Sequence, residues 1–453
     1  YEYALYYSEM IRSRRLRNQM ALKEVDPDSL IAPEYKEEIK RLCETRDYLV
    51  RSYMKLSSDI FTEDAVLDRL LKKIDYMNSE IKDKRGEAEM LSPGYRVARV
   101  NPVELSEAQR FLDEKQALVV YHARDNMTVY RWVVTEDGLQ FKKIFLTGSL
   151  TGMVDEMRRH IGWGCYGNYY TAGAHETGSF LYTALLKDLV EDGKYNEFHF
   201  IIAPPYTMEL VPFDALVTGF DNKGKPQYLI DKGYIISLTP SLTVFAMKRG
   251  REEKDYKEDF IGFADPYYGF KARQLYQSIR ETRRISDFFK KQKVYTGADA
   301  KESIFKKLPL SDYRYVHVST HGDFLEKTLK EPVILFCLEG DPGEDGYLFA
   351  SEVYNMKINS GLISFSACNT ALGKKEEYEG VTGFTHAFFT AGVSEVLLTL
   401  WPVDANSAEM LFIEFYKNCS RGESPAVALN NARKNVKKRY PSPYHWGAVI
   451  HQF

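Results

Sequence analysis

YRYVHVSTHGDF (Tyr313–Phe324) is an apolar run that stops at His321-Gly322, and GLISFSACNTALG (Gly361–Gly373) is a second one that stops at Cys368. Short apolar runs bounded by Gly and polar residues predict strands covered on both faces, as in a parallel sheet. A strand ending this way presents its last side chains at the carboxyl edge of the sheet, where open α/β sheets bind their ligands. If the two strands are neighbours, an imidazole and a thiol reach one crevice and make an acid–base group beside a nucleophile. Gly322 has no side chain to keep a substrate's acyl oxygen away, so the N–H groups of Gly322 and Cys368 are candidates for an oxyanion hole. Taken singly, a buried thiol or a packed histidine accounts for either residue. Their occurrence at two strand ends is what points to catalysis.

Working outward, DFIGFADP, KVYTG, VILFCLEG and SEVLLTL read as further strands, and helical spacing recurs at Ile279–Phe289, Ile304–Leu308, Ser407–Tyr416 and Ala426–Lys437. Upstream, ALVVYHA, VYRWVV, FKKIFL, FHFIIAPP (Phe198–Pro205) and YIISLTP (Tyr234–Pro240) form a second strand-rich unit. The charged stretch Lys248–Glu258 separates the two as a solvated linker. The N-terminal stretch has no glycine before Gly86. It carries helical periodicity in YEYALYYSEMIRSRRL, Tyr35–Leu56 and Ala65–Ile81, with breaks at Asp26-Pro27-Asp28 and Ala32-Pro33. The expected fold class is α/β, a mostly parallel sheet sandwiched by helices and preceded by an α-helical N-terminal region. Boundaries are expected at 1–100, 101–250 and 251–453.

The chain has 453 residues, with 61 Lys+Arg against 64 Asp+Glu and a net charge of −3, so no basic excess marks a nucleic-acid surface. At 44 % hydrophobic residues it can bury a large core and is not a disordered chain. No apolar stretch approaches the ~18 residues that a membrane helix needs, and no signal-peptide pattern opens the sequence. The 5 cysteines (Cys43, Cys165, Cys337, Cys368, Cys419) are scattered without a CxxC pair, which fits a reducing, cytoplasmic setting better than a disulfide framework or zinc knuckle. The histidines show no HExxH spacing, and there is no Walker A or GxSxG sequence. His317, four residues before His321, has two open readings: a support behind the active histidine, or a satisfied core residue. A chain opening at Tyr1 is expected to be a fragment of a longer one.

His321-Gly322 and Ser366-Ala367-Cys368-Asn369-Thr370 resemble the two signatures of the CHAT proteases, caspase-like cysteine peptidases related to separase and often linked to tetratricopeptide repeats. Other segments are similar to that family in the same order: IIAPPYTMELVPFDAL (Ile201–Leu216), TPSLTVF (Thr239–Phe245), EGVTGFTHAFFTAGVSEVLLTLWPVD (Glu379–Asp404) and YHWGAVI (Tyr444–Ile450). The resemblance covers roughly residues 160–453. It implies a caspase-like fold in which a non-catalytic half (101–250) precedes the catalytic half (251–453), with residues 1–100 as the tail of a repeat array or a connecting helical hairpin.

The implied activity is endopeptidase cleavage of a protein substrate. Cys368 attacks the scissile carbonyl, His321 manages the proton, and the N–H groups of Gly322 and Cys368 hold the oxyanion, with no metal or cofactor required. A protein partner that activates or inhibits through the N-terminal helices is expected on the same ground, as is a cytoplasmic, bacterial-defence setting. In separase an acidic residue after a Trp-containing strand binds a basic P1 side chain. The family often has Asp four residues after that Trp, whereas this chain has Ala405 there. Asp404 either takes the role after a one-residue shift or caps the helix that begins near Ser407. Glu376, Glu377 and Glu379 either line the same pocket or form a solvated acidic loop. The alternative to a peptidase is a catalytically silent caspase-like interaction scaffold.

Overall fold

The computed structural model describes residues 1–22, 33–57, 64–91, 101–162, 172–252, 254–268, 275–324, 332–341, 343–366, 373–376 and 380–453. The strands β1 (Gln116–Ala123), β2 (Thr128–Val134) and β3 (Leu139–Phe145) form an antiparallel meander. The strand β4 (His199–Ala203) pairs in parallel with β1. After a small hairpin, β5 (Val217–Phe220) and β6 (Pro226–Tyr228), β7 (Ile235–Leu238) pairs in parallel with β4. Beyond the charged linker lie β8 (Glu258–Pro266), β9 (Gln292–Gly297) and β10 (Tyr313–Ser319), all parallel. A three-stranded antiparallel sheet follows: β11 (Gly322–Phe324), β12 (Pro332–Leu335) and β13 (Tyr347–Phe349). The remaining strands are β14 (Leu362–Ser366), the hairpin β15 (Gly373–Glu376) and β16 (Gly380–Gly383), then β17 (Glu395–Thr399) and β18 (Val449–Gln452). Eleven of them make one sheet in the order β3-β2-β1-β4-β7-β18-β17-β14-β10-β8-β9.

Side chains alternate between the faces of this sheet, and the core divides accordingly. Ala117, Val119 and Tyr121 pack with Val154 and Leu181 from the helices Leu150–Gly162 and Ala172–Leu185. Leu118 and Val120 pack on the opposite side with Leu242 and Phe245 of the helix Leu242–Arg249. The apolar run around β12 departs from its reading as one more core strand. It lies in the small sheet, where Val333 and Ile334 pair antiparallel with Asp323 and Gly322. Pro332 opens it without an N–H, which a sheet accommodates at the first residue of a strand.

The two strand-rich units are not separate sheets. The closing strand β18 lies between them, antiparallel to β17 and parallel to β7, with Gln452 opposite Leu238. A lateral chain of polar groups crosses this joint. His199 Nε2 meets Ser237 Oγ at 2.8 Å, Ser237 Oγ meets His451 Nδ1 at 2.7 Å, and His451 Nε2 meets Glu395 Oε2 at 2.5 Å.

The N-terminal helices dock on both units. The stretch read as one helix over its first 16 residues breaks into α1 (Glu2–Ile11) and α2 (Arg14–Leu22) at an extended Arg12 and a positive-φ Ser13 (46°). The break has an evident cause. The buried Arg12 guanidinium donates to the carbonyls of Tyr121 (2.7 Å), Pro240 (3.0 Å) and Pro204, at the carboxyl ends of β1, β7 and β4. Glu9 accepts from Thr243 N and Oγ1, both at 3.0 Å, in the first turn of the helix Leu242–Arg249. Two further helices, α3 (Pro33–Ser57) and α4 (Asp64–Leu91), pack on each other and on the small sheet. There Ile74, Leu49 and Tyr53 meet Val333, Tyr347 and Phe349.

Burial, then the neighbouring His451 and Arg249, push the His199 pKa from 6.5 down to about 3. The folded chain therefore holds one proton fewer here than the unfolded chain between those two values, and acidification through this window destabilises the joint. Urea denaturation is expected to show a loss of about 2 kcal/mol from this group between about pH 7 and about pH 5. A His199→Gln variant is expected to lose correspondingly less stability over the same interval. An unchanged pH dependence in the variant would contradict this origin.

Candidate active site

The strand β10 lies between β14 and β8, parallel to both, with Ser319 opposite Ser366 on one side and Ala264 on the other. The chain thus leaves the two motif-bearing strands at the same level of the same edge. His321 lies two residues beyond Ser319, and Cys368 two residues beyond Ser366. Cys368, Glu377 and Glu379 fall outside the described residues, as does Cys165. Glu376 is described as the last backbone position of β15, paired with Gly380.

His321 is held at three points. Its backbone N–H donates to Tyr268 Oη at 3.4 Å, its carbonyl accepts from Leu335 N at 3.0 Å, and its ring lies 4.9 Å from the Tyr268 ring at 60°. Thr320 Oγ1 donates its one proton to Leu335 O at 2.6 Å, so the Tyr268 hydroxyl, 2.6 Å from Thr320 Oγ1, is the donor of that pair. Burial pushes the Tyr268 pKa up and keeps it in the donating form. The small sheet therefore acts as a brace: β12 fixes Thr320 and His321, and Gly322 begins β11 opposite Ile334.

Asp265 is a group the sequence reading missed. It sits at the carboxyl end of β8 with φ 41°, a left-handed conformation uncommon for a residue with a side chain. Its buried carboxylate accepts from Leu275 N at 2.5 Å. Burial raises its pKa, and the charge of His321 acts in the opposite direction. Its position at a strand end, in Ala264-Asp265-Pro266, was the available signal.

Beneath the edge, His317 is a satisfied core histidine. Its Nδ1 meets Ser364 Oγ at 2.7 Å and its Nε2 meets Glu281 Oε1 at 3.0 Å. Ser366 Oγ donates to Glu281 Oε2 at 3.4 Å, so Glu281 ties β10 to the end of β14. Glu281 comes from the helix Tyr276–Ser286, which settles on β8 only because residue 262 is glycine: a Cβ there would lie 2.3 Å from Thr282 Cγ2.

Asp404 caps the helix Ala405–Ser420. Its Oδ1 accepts from Ser407 N at 3.0 Å and lies 4.0 Å from His445 Nδ1, while its side chain remains 36 % exposed. Among the described residues, Glu302, Glu344 and Glu352 offer the donor atoms of a metal site, their oxygens within 4.8 Å of one another. The Lys306 ammonium stands among them, at 2.6, 2.7 and 2.7 Å, so this is an ion-pair cluster whose cation belongs to the chain. Of the other cysteines, Cys337 and Cys419 are buried, and burial raises the Cys419 pKa. No described helix is long and apolar enough to cross a membrane.

The mostly parallel sheet, covered by helices and preceded by an α-helical region, is similar to the caspase-like fold of separase. Two crystal structures of the separase–securin complex of Saccharomyces cerevisiae share the fold, with TM-scores of 0.52 and 0.54. They are 10 % identical to the chain and cover 97 % and 93 % of it, but 40 % and 38 % of their own chains. The CHAT domain model matches residues 175–453, and the chain belongs to that family. It is also similar to human tetratricopeptide repeat protein 28, 29 % identical over 111 residues, which is 24 % of this chain and 4 % of that protein. The chain spans less than half the length of these relatives.

The bracing of His321 is testable. Tyr268→Phe removes the donor to Thr320 and the acceptor for the His321 amide, and is expected to cost about 1–2 kcal/mol in urea denaturation. Hydrogen exchange at the His321 amide should quicken more than at neighbouring strand amides. Unchanged exchange would contradict the brace.

Proposed function

We propose that the chain is a cysteine endopeptidase that cleaves a protein substrate with Cys368 as nucleophile and His321 as proton carrier. The observation that supports it most is the register of β10 with β14, which starts both motifs from the same level of one sheet edge. In this reading the Cys368 thiolate adds to the scissile carbonyl, and the N–H groups of Gly322 and Cys368 receive the developing oxyanion. His321 then protonates the leaving amine, and water, deprotonated by His321, hydrolyses the thioester. The same imidazole favours the thiolate form of Cys368. Asp404 and the acidic residues Glu376, Glu377 and Glu379 take a basic P1 side chain, Asp404 using the exposed part of the carboxylate that caps its helix.

Regulation by a protein partner through the N-terminal helices belongs to the same proposal. Support comes from where those helices dock. The α3–α4 pair rests on the small sheet whose strand β12 holds His321, and Arg46 of α3 donates to Ser351 Oγ at 3.2 Å. The helix α2 packs on Phe384–Thr390, the helix after the hairpin β15–β16. A relative named for tetratricopeptide repeats and a separase solved with securin accord with a partner-controlled enzyme.

The test is terminal-sequencing mass spectrometry on a proteome-derived peptide library and on folded proteins, comparing the chain with Cys368→Ala and His321→Ala. New termini are expected with the intact chain and are expected to vanish in both variants, with Lys or Arg enriched at P1. Identical termini in all three proteins, with signalling through a partner preserved in Cys368→Ala, would favour the silent scaffold instead.

A further inference from the structure

At the edge of the sheet opposite His321, the amino-terminal ends of β10, β14 and β17 open onto a cavity of about 1230 Å³, bounded also by the linker after Lys248 and by Met20 of α2. Six cations line it: Lys248, Arg249, Arg251, Lys254, Arg314 and Lys357. None of them forms an ion pair with a carboxylate within 4.0 Å among the described residues. Lys254 Nζ donates to the carbonyls of Ser311 (2.6 Å) and Asn359 (3.2 Å), and Arg314 lies over the Tyr315 ring.

Two of the carboxylates in the wall are already engaged. Glu395 accepts from His451, and Asp259 accepts from Lys291 N at 3.1 Å. Glu252 and Asp255 are exposed. Lys248 differs from the other five cations. Its Nζ is closed off from solvent, has no hydrogen-bond partner among the described residues, and lies 3.1 Å from the centroid of the Phe389 ring. An ammonium in that position without an anion is costly, and burial drives its pKa well below the ordinary value. Lys248 therefore stands behind the wall, and Arg249, Lys254, Arg314 and Lys357 are the exposed cations of the cavity, with Arg251 half-buried.

We propose that this cavity binds a multiply charged, phosphate-bearing small molecule of nucleotide size, with Arg251, Arg314 and Lys357 meeting its phosphates. The volume is ample for such a ligand, and the cations stand on separate elements, as a polyphosphate requires. The site lies at the opposite edge from His321 and is independent of the peptidase reading. A ligand there bridges α2, the linker and the starts of the two strands whose ends carry the catalytic motifs.

The experiment is calorimetric titration of the full chain with sodium tripolyphosphate and with ATP, at low and high salt. Saturable one-to-one binding is expected, weakened by salt. Arg314→Gln and Lys357→Gln change exposed side chains of the wall; each is expected to weaken binding about tenfold or more. Thermal melts establish that the variants are folded, and Lys357→Gln carries the test if Arg314→Gln is not. No saturable binding by either probe, binding equally tight in the folded variants, or tighter binding of a poly-glutamate peptide would each overturn the proposal.

Discussion

Parallel pairing of β10 with β14, Ser319 level with Ser366, is the constraint on which the rest of the molecule depends. Parallel neighbours need long crossovers, and here the crossover between the two strands carries the small sheet. That insertion returns to the strand end it left: Leu335 on β12 exchanges contacts with both Thr320 and His321. The connection imposed by topology is thus also the element that orients the histidine. Below the edge, Glu281 ties the two strands through His317 and Ser366, so their ends are fixed relative to each other by buried groups.

The second unit of the sheet repeats the geometry with a different filling. At the carboxyl ends of β1, β4 and β7, where a ligand edge would lie, three strand-end carbonyls converge on Arg12. A planar guanidinium with five donors suits that arrangement, whereas a lysine could not span it. Desolvation lowers the Arg12 pKa, and Glu9 and Glu209 oppose that shift, which keeps the buried cation near acidic neighbours. One half of the sheet therefore leads into the His321 and Cys368 motifs at its carboxyl edge, and the other receives the α1–α2 junction at its own.

Much of this was legible in the sequence. The apolar runs of β8, β10, β14 and β17 are nearly unbroken because both faces are buried. The charged stretch after Lys248 and the helical periodicity of the N-terminal region were equally plain. What the sequence hid was tertiary. The four-residue β18 is too short to announce itself as the joint of an eleven-stranded sheet. Arg12, set among Arg14, Arg15 and Arg17, reads as one more surface charge until strand ends from three distant segments surround it. The run around β12 has the composition of a core strand, and only its pairing partners reveal a bracing role. Asp265 went unread because a lone Asp before Pro is first of all a turn signal.

The proposed peptidase requires His321 and Cys368 to work as a pair at one edge. Its most direct test is the pH dependence of Cys368 alkylation by iodoacetamide, followed by peptide mass spectrometry in the intact chain and in His321→Ala. A reactive thiolate is expected at neutral pH, with a midpoint well below the ~8.5 of a free cysteine, that returns toward that value when the imidazole is removed. A midpoint near that of a free thiol, unmoved by His321→Ala, would contradict it.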